Sequence, residues 1–131
     1  MELDQIKEQV MEEYRKVLKQ WELGKFYYRF KEYLRQFSRD KWINSINYKN
    51  VCLIIAMSRV GVPISTSTLS WLSDKSVHAS REFIRTLTVN KILEPIGLLE
   101  IDGRTIPRLY KLSSDFIKVL YTGKNGGTEH E

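Results

Sequence analysis

The chain is poor in the residues that carry most protein chemistry, with one cysteine, two histidines and three prolines among 131 residues. A single cysteine rules out a disulfide framework, and a chain of this length buries a working core without one. Cys52 lies inside the apolar run Val51–Met57 and is expected as a small buried hydrophobe. That run is the most apolar stretch present and falls far short of the roughly 20 residues a membrane span needs. The chain opens on Met1-Glu2-Leu3-Asp4 instead of a basic patch and an apolar run, so no signal peptide and an intracellular setting are expected. His78 and His130 stand 52 positions apart, which gives neither a metal cluster nor a histidine-centred triad. Thr122-Gly123-Lys124 lacks the upstream glycine of a phosphate-binding loop. Carboxylates mostly sit beside basic residues, as solvated pairs do. The expectation is a binding protein and not an enzyme, with no cofactor and no metal.

What is present is an ordinary globular composition with a basic bias. Hydrophobic residues make up 42% and charged residues 28%, so one domain, or one small domain with a helical extension, is expected. The net charge of +5 is segregated: residues 1–22 carry −2, residues 23–46 carry +4, residues 47–122 carry +4 and the last nine carry −1. A sequence pI near 9.3 suits nucleic acid, a membrane surface or an acidic protein partner.

The first 46 residues read as helix. Val10, Tyr14, Val17, Leu18 and Trp21 form one apolar stripe, and Phe26, Phe30, Tyr33, Leu34 and Phe37 repeat it. The sets are 16 residues apart, a rotation of roughly 160° in an unbroken helix, so the stripes would then face opposite ways. Gly24 lies between them, which favours two helices folded as a hairpin; the alternative is one rod with a partner on each side. The aromatic surplus of the second stretch predicts a subunit interface made by Val10, Tyr14, Val17, Trp21, Phe26, Phe30, Tyr33 and Phe37.

From Asn47 the pattern changes. Asn47 is expected to cap a helix carrying Tyr48, Val51, Cys52, Ile55 and Ala56 and ending at Gly61. Val62-Pro63-Ile64 permits only a short extended piece. Ser65 or Ser67 caps a short helix with Leu69 and Leu72, Asp74-Lys75 turns, and Ser76 caps a third helix to about Val89. On that helix Val77, Ser80, Ile84 and Leu87 are expected to face the core, with Phe83 at the edge, while His78, Arg81, Glu82 and Arg85 face outward. Asn90 is expected to take the left-handed position that ends it. Ile92-Leu93 and Leu98–Ile101, a turn at Asp102–Thr105, and the alternating Arg108-Leu109-Tyr110-Lys111-Leu112 read as a hairpin. Ser113 or Ser114 then caps a last helix, Phe116–Tyr121, and residues 123–131 read as a disordered tail.

This order resembles the winged helix-turn-helix superfamily, and within it small DNA-binding regulators of archaea and their viruses. The resemblance covers about Asn47–Leu120. It rests on the capped pair Ser65–Ser73 and Ser76–Val89, the phrase Ile84-Arg-Thr-Leu-Thr-Val-Asn-Lys-Ile-Leu93, the Gly103-Arg104 turn and the return strand Arg108–Ser113. It implies a mainly α fold with a small β-hairpin (α+β), a winged-helix domain over residues 47–122, a recognition helix at Ser76–Val89 and a wing tip at Asp102–Pro107. Residues 1–46 would be an N-terminal helical extension that dimerises.

Independently of the name, Arg81 and Arg85 lie one turn apart on one face, and a guanidinium fork suits guanine edges. His78 and Ser76 lie where the first turn of a helix meets a phosphate or a base, and Glu82 shares that face. Arg104 at a glycine turn suits a narrow minor groove, with Arg108 and Lys111 as phosphate contacts. Lys49, Lys75 and Lys91 are lesser candidates. The expected function is sequence-specific double-stranded DNA binding by a homodimeric transcriptional regulator, cytoplasmic and nucleoid-associated. The alternative is a protein–protein interaction module in a replication, transcription or viral assembly.

Overall fold

The computed structural model describes residues 2–22, 24–35 and 47–122. Phe37, expected at an interface, and the expected tail 123–131 lie outside the described residues. The described chain is mainly helical with one small antiparallel sheet: α1 Leu3–Glu22, α2 Lys25–Leu34, α3 Tyr48–Val60, α4 Thr66–Ser73, α5 Val77–Val89, β1 Leu93–Ile101, β2 Arg104–Leu112 and α6 Ser114–Thr122. Among the described residues no helix is long and apolar enough to cross a membrane.

Short-range chemistry sets most boundaries. The Asn47 side chain accepts a hydrogen bond from the Lys49 N–H at 2.9 Å and starts α3. Gly61, at φ +93°, stops it: the Val62 N–H returns to the Met57 carbonyl and the Gly61 N–H to Ser58, a two-bond C-terminal cap. Ser65 and Thr68 exchange side-chain and backbone bonds in a capping box at the head of α4. Ser76 Oγ accepts from the Ala79 N–H at 3.0 Å to start α5, and Ser113 Oγ accepts from the Phe116 N–H at 3.1 Å to start α6.

The end of α5 differs from the sequence expectation. Asn90 sits at φ −91° and Lys91 at φ +62°, so the lysine and not the asparagine takes the left-handed position. The bonds explain it: Ile92 N–H reaches the Leu87 carbonyl and Lys91 N–H reaches Thr88, the same two-bond cap that closes α3. Asn90 is buried one residue earlier, its amide donating to the Thr86 carbonyl at 2.8 Å.

The hairpin is longer and tighter than expected. Asp102 and Gly103 alone form the turn, at φ +51° and +75°, and Ile101 pairs with Arg104. Two successive positive φ values match the right-handed twist of the strands. Residues 105–107, expected in the wing tip, are therefore paired strand. Each strand has nine residues, an arm of about 30 Å. The register shifts by one near Gly97 and shifts back, leaving Ile96 and Arg108 outside the pairing beside Pro95 and Pro107, whose rings remove ladder donors. At the base Tyr110 N–H bonds the Ile64 carbonyl at 2.9 Å, adding one bridge from the α3–α4 connection.

One hydrophobic core joins all of this. α3 is its axis, with every residue from Val51 to Met57 buried, and it packs on α1, α4 and β2. The two N-terminal stripes both face inward: α1 packs on α3 and α2 on α6, with the change of direction taken at Gly24, φ +104°. This corrects the expected interface. Val10, Val17, Trp21, Phe26, Phe30 and Tyr33 are buried in the chain's own core, and Tyr14 is partly buried against it. Trp21 stacks on Tyr48 at 5.8 Å and meets Phe30 at 4.9 Å, while Phe116 makes T-shaped contacts with Phe30 and Tyr33. Helices α3 and α6 give these aromatics a cover that a lone hairpin lacks, so Trp21, Phe26, Phe30 and Tyr33 are core and not surface.

Candidate nucleic-acid interface

α4 and α5 are joined by Asp74, Lys75 and Ser76. Asp74 takes the left-handed conformation at φ +59°. Lys75 is held at both backbone ends, its N–H donating to Ser73 Oγ at 3.3 Å and its carbonyl accepting from Ser70 Oγ at 2.6 Å. Lys7 of α1 approaches the turn at the surface, its Nζ 3.9 Å from the exposed Asp74 carboxylate. A three-residue connection of this kind fixes the direction in which α5 leaves the body.

α5 divides its faces nearly as expected. Ser80, Ile84 and Leu87 are buried and Phe83 is half-buried. Val77, expected in the core, is 48% exposed, because the first turn of α5 projects beyond the packed body. His78, Arg81, Glu82 and Arg85 are exposed, and among the described residues none of these four side chains has a hydrogen bond or ion pair. Arg81 and Arg85 therefore present complete guanidinium forks one helical turn apart, with Glu82 between them in sequence. Ser76 is exposed, but its hydroxyl oxygen already serves the cap, so it offers an anion its remaining hydrogen and the neighbouring N–H groups.

The hairpin carries the rest of the expected set. Lys111 is exposed but faces Glu94 across the ladder at 3.4 Å, so its charge is partly answered within the sheet. The backbone of Arg104 directly follows the turn and that of Arg108 sits at the register shift; their side chains lie outside the described part. Lys49, Lys75 and Lys91 are all exposed, at the starts of α3 and α5 and just after α5. An open groove of about 420 Å³ runs along α5 between Asn50, Leu69, Ser73, Phe83 and Thr86. Asn50 and Thr86 escaped the sequence reading because neither breaks a local pattern.

Tyr33 was also missed as a polar residue. Its hydroxyl donates to the Lys91 carbonyl at 2.7 Å and lies 3.4 Å from Ser113 Oγ, so α2 holds together the exit of α5 and the cap of α6. Burial pushes the phenol above its ordinary value of 10.0, the Ser113 contact opposing. Arg29 donates to the Leu120 carbonyl at 2.7 Å, and Arg59 links Tyr121 to Glu13, 3.7 Å away. α5 itself packs on α4 and β1, while α2 reaches its exit through Tyr33 and α1 reaches the turn before it through Lys7.

Compared with protein-family models, with curated proteins and with solved structures, the chain matches none.

Proposed function

We propose that this chain is a winged-helix protein that binds double-stranded DNA sequence-specifically, with α5 as the recognition helix and the β1–β2 hairpin as the wing, and that it works as a homodimeric transcriptional regulator. The observation that carries the reading is the exposed, unpaired set His78, Arg81, Glu82 and Arg85 on a helix fixed behind by a three-residue turn. Both guanidinium forks are free of partners among the described residues, and a fork of this kind binds phosphate or a base edge bidentately. An α-helix fits the major groove, where arginine reads guanine O6 and N7 and a glutamate accepts from cytosine N4. The hairpin extends far enough to reach the adjacent backbone or minor groove, and the Tyr110–Ile64 bridge ties it to the segment that leads into α4. Dimerisation would add two half-site energies where one module buries too little surface.

The expected homodimer and the reading as a protein–protein module both relied on the aromatic helices as a surface; their stripes are core, and Tyr27 and Tyr28 are the aromatics that α2 leaves exposed among the described residues. Selection of bound duplexes from random DNA tests the proposal: an enriched palindrome or direct repeat is expected. Recovery of no preferred sequence, with affinity depending on salt alone, would reduce the protein to a non-specific binder.

A further inference from the structure

The outward face of α1 carries its charges in two blocks of opposite sign. Asp4, Glu8, Glu12, Arg15 and Lys19 are all exposed, and at about 100° per residue they fall within an arc of about 80°. The opposite face, with Val10, Val17 and Trp21, is packed into the core. Along the outward arc three acids, Asp4, Glu8 and Glu12, come first and two cations, Arg15 and Lys19, follow, with position 22, a glutamate, closing the helix at the same angle as Asp4. Like charges stand four residues apart, Asp4 to Glu8 to Glu12 and Arg15 to Lys19, spacings that repel within a helix, while opposite charges meet at the spacing of three only where the blocks change, at 12–15 and 19–22. The helix dipole accounts for an acid in the first turn and a base in the last, but its influence fades within one turn and does not reach Glu8, Glu12 or Arg15. None of the five side chains has an ion pair among the described residues.

A file with an acidic block, residues 4–12, followed by a basic block, residues 15–19, is complementary to the same file reversed. We propose that the outward face of α1 is a self-association surface for a second copy of this chain, the two α1 helices lying antiparallel about a two-fold axis. The acidic half of each copy then lies along the basic half of the other, and every pair occurs twice, as an isologous contact requires. In one register Asp4 meets Lys19 and Glu8 meets Arg15 of the other copy, with the two Glu12 near the axis; a slip of one turn brings Asp4 to the level of position 22, an acid, so the first register is preferred. A parallel arrangement sets acid on acid and is excluded. With no apolar anchor in the arc the association is weak and salt-sensitive, of the kind that a duplex with two half-sites completes by raising effective concentration. The contact would give the duplex-binding reading its subunit interface, yet its test contains no DNA, so the failure of either leaves the other standing.

The test is sedimentation of the full chain, parent and variants, at low and high salt. Arg15→Glu with Lys19→Glu makes the file wholly acidic; Asp4→Lys, Glu8→Lys and Glu12→Lys with Glu22→Lys makes it wholly basic. By helical angle both sets lie on the outward arc, and helical circular dichroism with cooperative unfolding verifies each fold. The parent is expected to dimerise weakly at low salt, with association falling by about tenfold or more at high salt. Each variant alone should be monomeric, and their equimolar mixture should form a heterodimer tighter than the parent pair. A parent that stays monomeric at low salt up to the highest soluble concentration overturns the proposal. So does a variant that self-associates as the parent does, or a mixture that fails to pair.

Discussion

At Lys91 the backbone adopts φ +62° in a side chain that carries a Cβ, a conformation that ordinarily costs about 1–2 kcal/mol. The position is held by the two-bond cap of α5 and by the Tyr33 hydroxyl, both of which use only backbone atoms of Lys91. Lys91→Gly should therefore keep every bond and raise stability by about 0.5–1 kcal/mol, read as a higher urea midpoint at unchanged slope. Tyr33 gives a pH signature. Because burial raises its folded-state pKa above 10.0, the folded chain holds that proton more tightly than the unfolded chain. Its contribution is whole below pH 10 and is lost as pH climbs through the raised value. In Tyr33→Phe, urea unfolding followed from pH 8 to 11 should show a shallower alkaline decline than the parent. On the outward face of α5, Arg85→Ala should cost about 1–3 kcal/mol on a selected duplex and relax preference at one base position. Lys111→Ala, already paired with Glu94, should weaken all duplexes alike and slightly, as fluorescence anisotropy would report.

Elements closed by local chemistry were legible in the sequence. Asn47, Gly61, Ser65, Ser76 and Asp102-Gly103 each act within a few residues, and each lies where the residue type predicts. Packing partners were not legible. An apolar stripe on a helix says that a face is buried, not against what, and so the stripes of α1 and α2 read as surfaces for another subunit although α3 and α6 cover them. The hairpin was cut short for a related reason: Pro95 and Pro107 signal strand ends, yet in a two-stranded sheet a missing donor can sit at a register shift. The outward arginines were legible because the exposed half of α5 follows from the buried half; the Tyr33 network was not, because it joins residues 58 and 80 positions apart. Phe30 checks the packing account. Phe30→Ala should cost about 3–5 kcal/mol in urea unfolding, since the ring is buried against Trp21 and Phe116. An interface residue would leave the fold intact and change only the oligomeric state.

On the scale of the whole molecule the N-terminal helices act as a brace. Lys7, Glu13, Arg29 and Tyr33 reach the α4–α5 turn, the end of α3, the end of α6 and the exit of α5 respectively, so the outward face of α5 rests on a body that spans the described chain. Its orientation is thereby coupled to the global fold, and variants that loosen the brace should lose discrimination among duplexes before they lose attraction to phosphate. The central claim is that Arg81 and Arg85 meet DNA. The direct measurement is the affinity of the parent and of Arg81→Ala with Arg85→Ala for a selected duplex and a scrambled one, each across a salt series. The account predicts that the parent prefers the selected duplex by at least about 1,000-fold at physiological salt. It also predicts that the variant, still cooperatively folded, loses most of that preference while both proteins weaken steeply with salt. A variant that retains the full preference would contradict the account.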